Sequence, residues 1–355
     1  MSSIDASLFD FHRFAIQTAW LGVLLALLNA AAVVVERALF ACNEARRRRI
    51  DRRYEPVARR ALDGDEAAVE QLANSPRRHR IAIAWMLVRP LYDDRDRQRV
   101  ARARTIFQAM SLVEVADRWV NSCWWPRRAL AVRALGLFQI EHRTAAIVAA
   151  LDDDHAEVRA AALDSIADLG DPRAVMAVVV RLHDESLHRG RRFAAIAAFG
   201  PEIEPSLLQM AGVDAANRLN YARALRICGT ARSLPTLSRW TLDPDVKVRA
   251  AAFEALGHIG LDRHAAPLAL EGLEADDVTV RAMAAYALHD WAGPGNIAVQ
   301  LAQHLDDRWP VAVQAASSLK TMRDGGVAAL QAAASRPDLA GELARQTLWE
   351  MAARC

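Results

Sequence analysis

The residues best able to do chemistry in this chain are spaced so that they cannot do it together. Of the ten histidines, His183 and His188 stand five apart and His258 and His264 six apart. Neither gap stacks two imidazoles on one helical face, as the HExxH spacing does for zinc. Cys42, Cys123, Cys228 and Cys355 are scattered without a CxxC pair, which argues against a zinc site or a disulfide framework and fits a reducing compartment. No GxSxG, Walker loop or GxGxxG occurs. Adjacent acids such as Asp93-Asp94, Asp152-Asp153 and Asp276-Asp277 fall at turns or helix starts, where carboxylates serve as caps. The expectation is a protein that is not an enzyme, with no catalytic residues, metal, cofactor or small-molecule substrate.

What remains is the chemistry of binding, and arginine dominates it. Lysine occurs only at Lys247 and Lys320 among 45 basic residues. Net charge is +2 overall, but residues 1–133 sum to about +8 and residues 134–355 to about −6. Three groups of arginines recur at one phase of the sequence: Arg127, Arg128 and Arg133; Arg189, Arg191 and Arg192; Arg218, Arg223 and Arg226. Trp124 and Trp125 open the same region and either anchor a partner or close the end of a core. The expected partner-binding set is Trp124, Trp125, Arg127, Arg128, Arg133, Arg191, Arg192, Arg223 and Arg226.

These side chains need elements to position them, and the elements repeat. Asp152 to Gly170 reads DDDHAEVRAAALDSIADLG; the same grammar returns at Asp243 to Gly260 and at Asp276 to Ala292. Acids open each copy, Val-Arg follows, and small residues then alternate with Leu and Ile at helical spacing. Aligned segments run at Arg128–Phe138, Arg159–Leu169, Arg189–Phe199, Arg218–Cys228, Arg249–Ile259, Arg281–Trp291 and Ala312–Met322. Their inner apolar column is Leu135, Ile166, Ile196, Leu225, Leu256, Leu288 and Leu319. Each copy is a helical hairpin that buries its apolar face only by stacking on its neighbours. The opening arginine is expected to reach an acid in the preceding turn, such as Asp152–Asp154, or Asp243 and Asp245. With 53% hydrophobic residues but only 6% aromatics, the core must be Ala, Leu and Val, and period-2 strand patterns are missing. The fold class is all-α: a right-handed α-solenoid preceded by a transmembrane helix.

That transmembrane helix is expected at residues 14–35, which carry no charge and are long enough to cross about 30 Å of hydrocarbon. Nine arginines against four acids lie between Glu36 and Arg60, so the positive-inside rule puts everything after the anchor in the cytoplasm. Arg46, Arg47, Arg48 and Arg49 are placed to meet anionic lipid headgroups. Helices without a clear repeat follow. They start at Glu66, at the Ser75-Pro76 signal, at Asp93-Asp94 and at a Ser111–Glu114 capping box.

Asp243-Pro-Asp-Val-Lys-Val-Arg-Ala-Ala-Ala-Phe-Glu-Ala-Leu-Gly257 and its copies resemble bacterial HEAT repeats of the short, phycobilisome-lyase-like class, over about residues 124–330. The layout of anchor, Arg-rich segment and array resembles that of bacterial membrane HEAT proteins, some of which are encoded beside membrane glycosyltransferases for surface polysaccharide. The resemblance implies a concave face formed by the second helices of the hairpins. HEAT-repeat hydroxylases hold iron with His-Glu pairs, and no His-Glu occurs in this chain. The layout expected is a tail over 1–13, the anchor over 14–35 and an Arg-rich helical region over 36–122. The array of about seven repeats then fills 123–330, and a capping helix ends the chain over 331–355. The function expected is a non-enzymatic scaffold, single-pass in the inner membrane, that binds a protein partner such as a glycosyltransferase through the concave basic face. A nucleic-acid-binding HEAT protein is the alternative, and a lyase-type enzyme the third.

Overall fold

The computed structural model describes residues 37, 44–92, 96–140, 142–291 and 296–353. The expected anchor over residues 14–35 and its tail lie outside these. Among the described residues there are helices and no strands, and no helix is long and apolar enough to cross a membrane.

The chain divides into two compact units, residues 1–115 and 116–355. In the first, helix α1 covers residues 44–63, followed by α2 (Glu66–Ala73), α3 (Arg80–Val88) and α4 (Arg97–Ala109). Helix α5 (Leu112–Trp119) spans the division. The helices expected after the sequence signals are present, with α5 opening at Leu112 as expected, but the details of their starts differ. Ser75 leaves its hydroxyl buried without a hydrogen bond, and a 3-10 turn over Arg77–His79 precedes α3. Asp96 caps α4 by accepting from the Gln98 N–H at 2.8 Å; the expected Asp93-Asp94 lie outside the described residues. Ser111 sits at φ 50°, away from the extended backbone an N-cap uses.

The second unit is a stack of hairpins. Its second helices are α6 (Trp125–Leu137), α8 (Ala156–Leu169), α10 (Arg189–Phe199), α12 (Arg218–Cys228), α14 (Val246–Ile259), α16 (Val278–Ala287), α18 (Trp309–Thr321) and α20 (Leu339–Ala352). Between them lie the first helices α7 (Thr144–Ala149), α9 (Val175–Val180), α11 (Glu204–Val213), α13 (Leu234–Trp240), α15 (Ala265–Leu273), α17 (Ile297–Gln303) and α19 (Arg323–Ala334). The residues from 331 onward hold the end of α19 and all of α20. The inner column is buried without exception: Leu135, Ile166, Ile196, Leu225, Leu256, Leu288 and Leu319 are each 0% exposed. Each such Leu or Ile contributes about 1.5–3 kcal/mol of burial.

Small residues set how closely the second helices approach. A Cβ built on Gly136 of α6 would lie 2.3 Å from the Ser165 Cβ of α8. The Ser165 hydroxyl, buried by the same approach, donates to the Val132 carbonyl at 2.9 Å. Further along, Ser318 donates to the Ala285 carbonyl at 2.7 Å, across the same 33-residue separation. A serine there satisfies its hydroxyl on the neighbouring helix without pushing the helices apart.

Candidate interaction surface

The recurring arginines tie their loops to their neighbours, and Arg281 grips two repeats at once. Arg159, Arg249 and Arg281 each send Nη1 back to two carbonyls of their own opening loop, those of Asp153 and Asp154, Asp243 and Pro244, and Ala275 and Asp276, at 2.7–3.1 Å. Three of the recurring arginines reach forward to a carboxylate of the next repeat. Arg128 holds Asp153 through Nε and Nη2, both at 2.7 Å; Arg218 reaches Asp243 at 2.8 Å; Arg281 holds Asp307 through two bonds of 2.7 Å. The expected tie between neighbours is present but its direction is corrected. The preceding turn supplies carbonyls, and the carboxylate comes from the following turn. Hydrogen bonding to Arg128 draws the Asp153 carboxyl below its ordinary range despite its burial, and Arg281 brings Asp307 down to about 2.

These ties decide which of the nine expected binding residues are free to act. Arg128 is held by Asp153 and by the Ser122 carbonyl at 2.8 Å, with its side chain 17% exposed. Arg191 pairs with Asp164. Arg226 lies 3.6 Å from Glu254 and its Nη1 is 3.2 Å from the His258 ring nitrogen. Arg133 lies 3.6 Å from Glu157. Arg192 is buried and donates to the Leu182 carbonyl. Arg223, half-buried on α12, makes no hydrogen bond or ion pair with the described residues.

Trp124 and Trp125 are exposed, not enclosed in the core. The Arg127 guanidinium sits 5.4 Å over the Trp124 ring, a contact worth about 0.5–1 kcal/mol at such a surface. Trp125 stacks flat on His155, centroids 4.0 Å apart. His155 in turn caps α8 by accepting from the Glu157 N–H at 3.3 Å, and its own N–H donates to Asp153 at 2.9 Å. One connected set therefore links the Arg128–Asp153 clasp to the tryptophan platform. His155 was missed from sequence, because its partner lies thirty positions back and no helical period relates them.

Arg46, Arg47, Arg48 and Arg49 line α1 as exposed side chains. Arg48 pairs with Glu44 at 3.1 Å and Arg47 stands 4.0 Å from Asp51. Burial pushes the Cys228 thiol up to about 12, with Glu204 adding to it, so it stays protonated at neutral pH and is no nucleophile. Among the described residues, no group of three or more His, Cys, Asp or Glu is placed to hold a metal ion.

The HEAT-repeat family profile matches residues 117–200 and 204–293. No curated protein matches the chain. Among solved structures, importin β is 14% identical over 79% of this chain and 45% of its own, with a TM-score of 0.50. Human deoxyhypusine hydroxylase in complex with glycerol is 19% identical over 85% of this chain and 96% of its own, at a TM-score of 0.29. The complex of CpcE and CpcF of phycocyanin lyase from Nostoc sp. PCC7120 is 17% identical over 65% of this chain and 94% of its own, at 0.34. At such identities the likeness speaks to fold alone. Residues 117–200 and 204–293 are HEAT repeats, and they lie in an all-helical solenoid.

Proposed function

We propose that this HEAT-repeat protein is a non-catalytic scaffold that binds a partner protein through its second-helix face. The observation that carries this reading is the surface of Trp124, Arg127, Trp125 and His155. Two exposed tryptophans are held rigid there, one by a cation over its ring and one by a stacked imidazole. Tryptophan and arginine fixed in this way are the residue types that dominate binding energy at protein interfaces. The clasps behind them keep the platform from rearranging, so little entropy is lost on docking.

The uncharged stretch over residues 14–35 and the arginines after it support a second part of the proposal. The scaffold is tethered in the inner membrane by one helix, with its repeats in the cytoplasm and Arg46–Arg49 against anionic headgroups. Tethering raises the effective concentration of a membrane-borne partner, so modest affinity suffices. A glycosyltransferase complex for surface polysaccharide is the proposed setting, on sequence resemblance. The nucleic-acid alternative loses support, because Arg128, Arg191, Arg218 and Arg226 are already matched to carboxylates.

The test is crosslinking of the full-length chain in membranes, beside a Trp124→Ala/Arg127→Ala variant. The proposal expects one membrane protein captured by the wild type and lost from the folded variant. Capture of nucleic acid, or the same partner retained by the variant, overturns it.

A further inference from the structure

The acids of helix α1 neutralise only some of its arginines. Glu44 holds Arg48 at 3.1 Å, Asp51 stands 4.0 Å from Arg47 and Glu55 holds Arg59 at 2.7 Å. Arg46 and Arg53 are seven positions apart, which puts them on one face of the helix. Both are exposed, and neither makes an ion pair with the described residues.

A third exposed arginine reaches the same place from the 3-10 turn that precedes α3. Arg78 gives its Nε to the His79 Nε2 at 3.3 Å. A guanidinium only donates, so Nε2 accepts and the one proton of the ring sits on Nδ1. That proton goes to the Tyr54 hydroxyl at 3.2 Å. Tyr54, 2% exposed, joins the two elements, because the Arg53 guanidinium lies 5.4 Å from its ring. Contact with Tyr54 draws the half-buried imidazole partly out of water. That burial, followed by the fields of Arg78, Arg53 and Arg46, pushes His79 below its ordinary range, and no carboxylate is among the groups that act on it.

We propose that Arg46, Arg53 and Arg78, converging on His79, hold the phosphate of an anionic lipid headgroup. This rests on the tethered reading and moves its lipid contact onto other side chains, since Arg47 and Arg48 already face carboxylates. Residues 14–35 end eleven positions before Arg46, so the cluster lies close along the chain to the lipid surface that the tether supplies. Guanidinia arriving from two elements suit a group whose oxygens point several ways, as those of phosphate do, better than a planar carboxylate. A bound phosphate also removes the reason for the imidazole to stay neutral. His79 then takes a second proton from solvent at Nε2, the Arg78 Nε loses its acceptor there and turns to the anion, and the imidazolium adds a donor. Binding takes up a proton, so it strengthens as pH falls through the His79 range.

The experiment is an NMR titration of the histidine side chains of the full-length chain in lipid nanodiscs, with His79 identified by its loss in His79→Gln. The discs are phosphatidylcholine alone or phosphatidylcholine mixed with phosphatidylglycerol. Moving from neutral to anionic discs raises the His79 midpoint by about one pH unit and moves the exposed His188 far less. Arg53→Gln/Arg78→Gln alters two exposed positions, keeps the fold and loses most of that shift. A shift that His188 shares equally, or that the double variant keeps, is the potential of the membrane surface and overturns the site; so does no shift at all. The same shift in neutral discs from inorganic phosphate or an oligothymidylate, with none from phosphatidylglycerol, gives the site to a free ligand and overturns its lipid source. Recovery of the chain in neutral discs tests the tether by itself. A chain that fails to enter them sinks the tethered reading, whereas one that enters and shows no His79 shift loses this site alone.

Discussion

Arg128 and Asp153, 25 positions apart, meet through two parallel hydrogen bonds of 2.7 Å. They join the second helix of one repeat to the opening loop of the next. Asp153 also accepts from the His155 N–H at 2.9 Å, so the same carboxylate sets the start of α8 and the imidazole under Trp125. Losing Arg128 strands a carboxylate that is only 12% exposed. Arg128→Ala should cost about 2–4 kcal/mol of unfolding free energy. Arg128→Lys should recover only part of it, because an ammonium cannot make the two-pronged contact. Chemical denaturation of the three proteins measures both. A loss within error for Arg128→Ala would mean that the clasp is ornamental.

The matching clasp of Arg281 on Asp307 predicts an acid-sensitive term. Asp307 lies at about 2 in the fold, against an ordinary value of 3.8. A depressed carboxylate stabilises the fold above its unfolded value and loses that contribution as pH falls through the folded one. Stability from this pair should be complete above about pH 5 and fade between about pH 4 and pH 2. The full effect is about 2 kcal/mol. Comparing urea midpoints of wild type and Asp307→Asn at neutral pH and near pH 3 isolates it. The gap between the two proteins should narrow on acidification, and a gap independent of pH would refute the assignment.

The inner column was legible because a solenoid core is strictly periodic, and counting from Leu135 to Leu319 finds residues that the structure buries completely. Arginine partners were not legible. A carboxylate 25 or 26 positions ahead and carbonyls five or six positions behind both fit a recurring Val-Arg, and only the stagger between hairpins chooses among them. For the same reason Arg133 and Arg223 hold the same place in their repeats, although Arg133 lies 3.6 Å from Glu157 and Arg223 makes no hydrogen bond or ion pair with the described residues. The state of each cation depends on whether the neighbouring repeat carries an acid within its reach.

Gly136 offers a sharper test of helix spacing. A methyl there would lie 2.3 Å from the Ser165 Cβ and 2.5 Å from its Cα. The second contact is backbone, so no rotamer change relieves it. Gly136→Ala should force α6 and α8 apart, costing about 1–3 kcal/mol, even though alanine favours helix over glycine by about 1 kcal/mol. Separation would also stretch the Ser165 hydroxyl away from the Val132 carbonyl. Thermal unfolding of Gly136→Ala reads the balance; a rise in melting temperature would mean that propensity outweighs packing and that the helices are free to part.

Glu204 argues for a second kind of inter-repeat tie, on the first helices. It is 1% exposed, yet it is a carboxylate, and three donors from the following repeat converge on it. The Thr230 N–H lies at 2.8 Å and its hydroxyl at 2.7 Å, and the Ser233 hydroxyl closes the set. Burial alone would raise this carboxyl, but the bonds from Ser233 and Thr230 outweigh it and hold the group below its ordinary range. The turn from Thr230 to Ser233 that leads into α13 is thereby tied to a side chain 26 positions earlier. Glu204→Ala leaves all three donors without that acceptor and should cost about 3–5 kcal/mol. Glu204→Gln keeps one oxygen but turns an amide N–H₂ toward a hydroxyl or an N–H, and should lose roughly half as much. Hydrogen exchange at the Thr230 amide separates this tie from general loosening. Its protection should fall in Glu204→Gln while the amides of α6 and α8 stay protected. Uniform loss across the solenoid would instead make Glu204 a part of the global core, not a joint between two repeats.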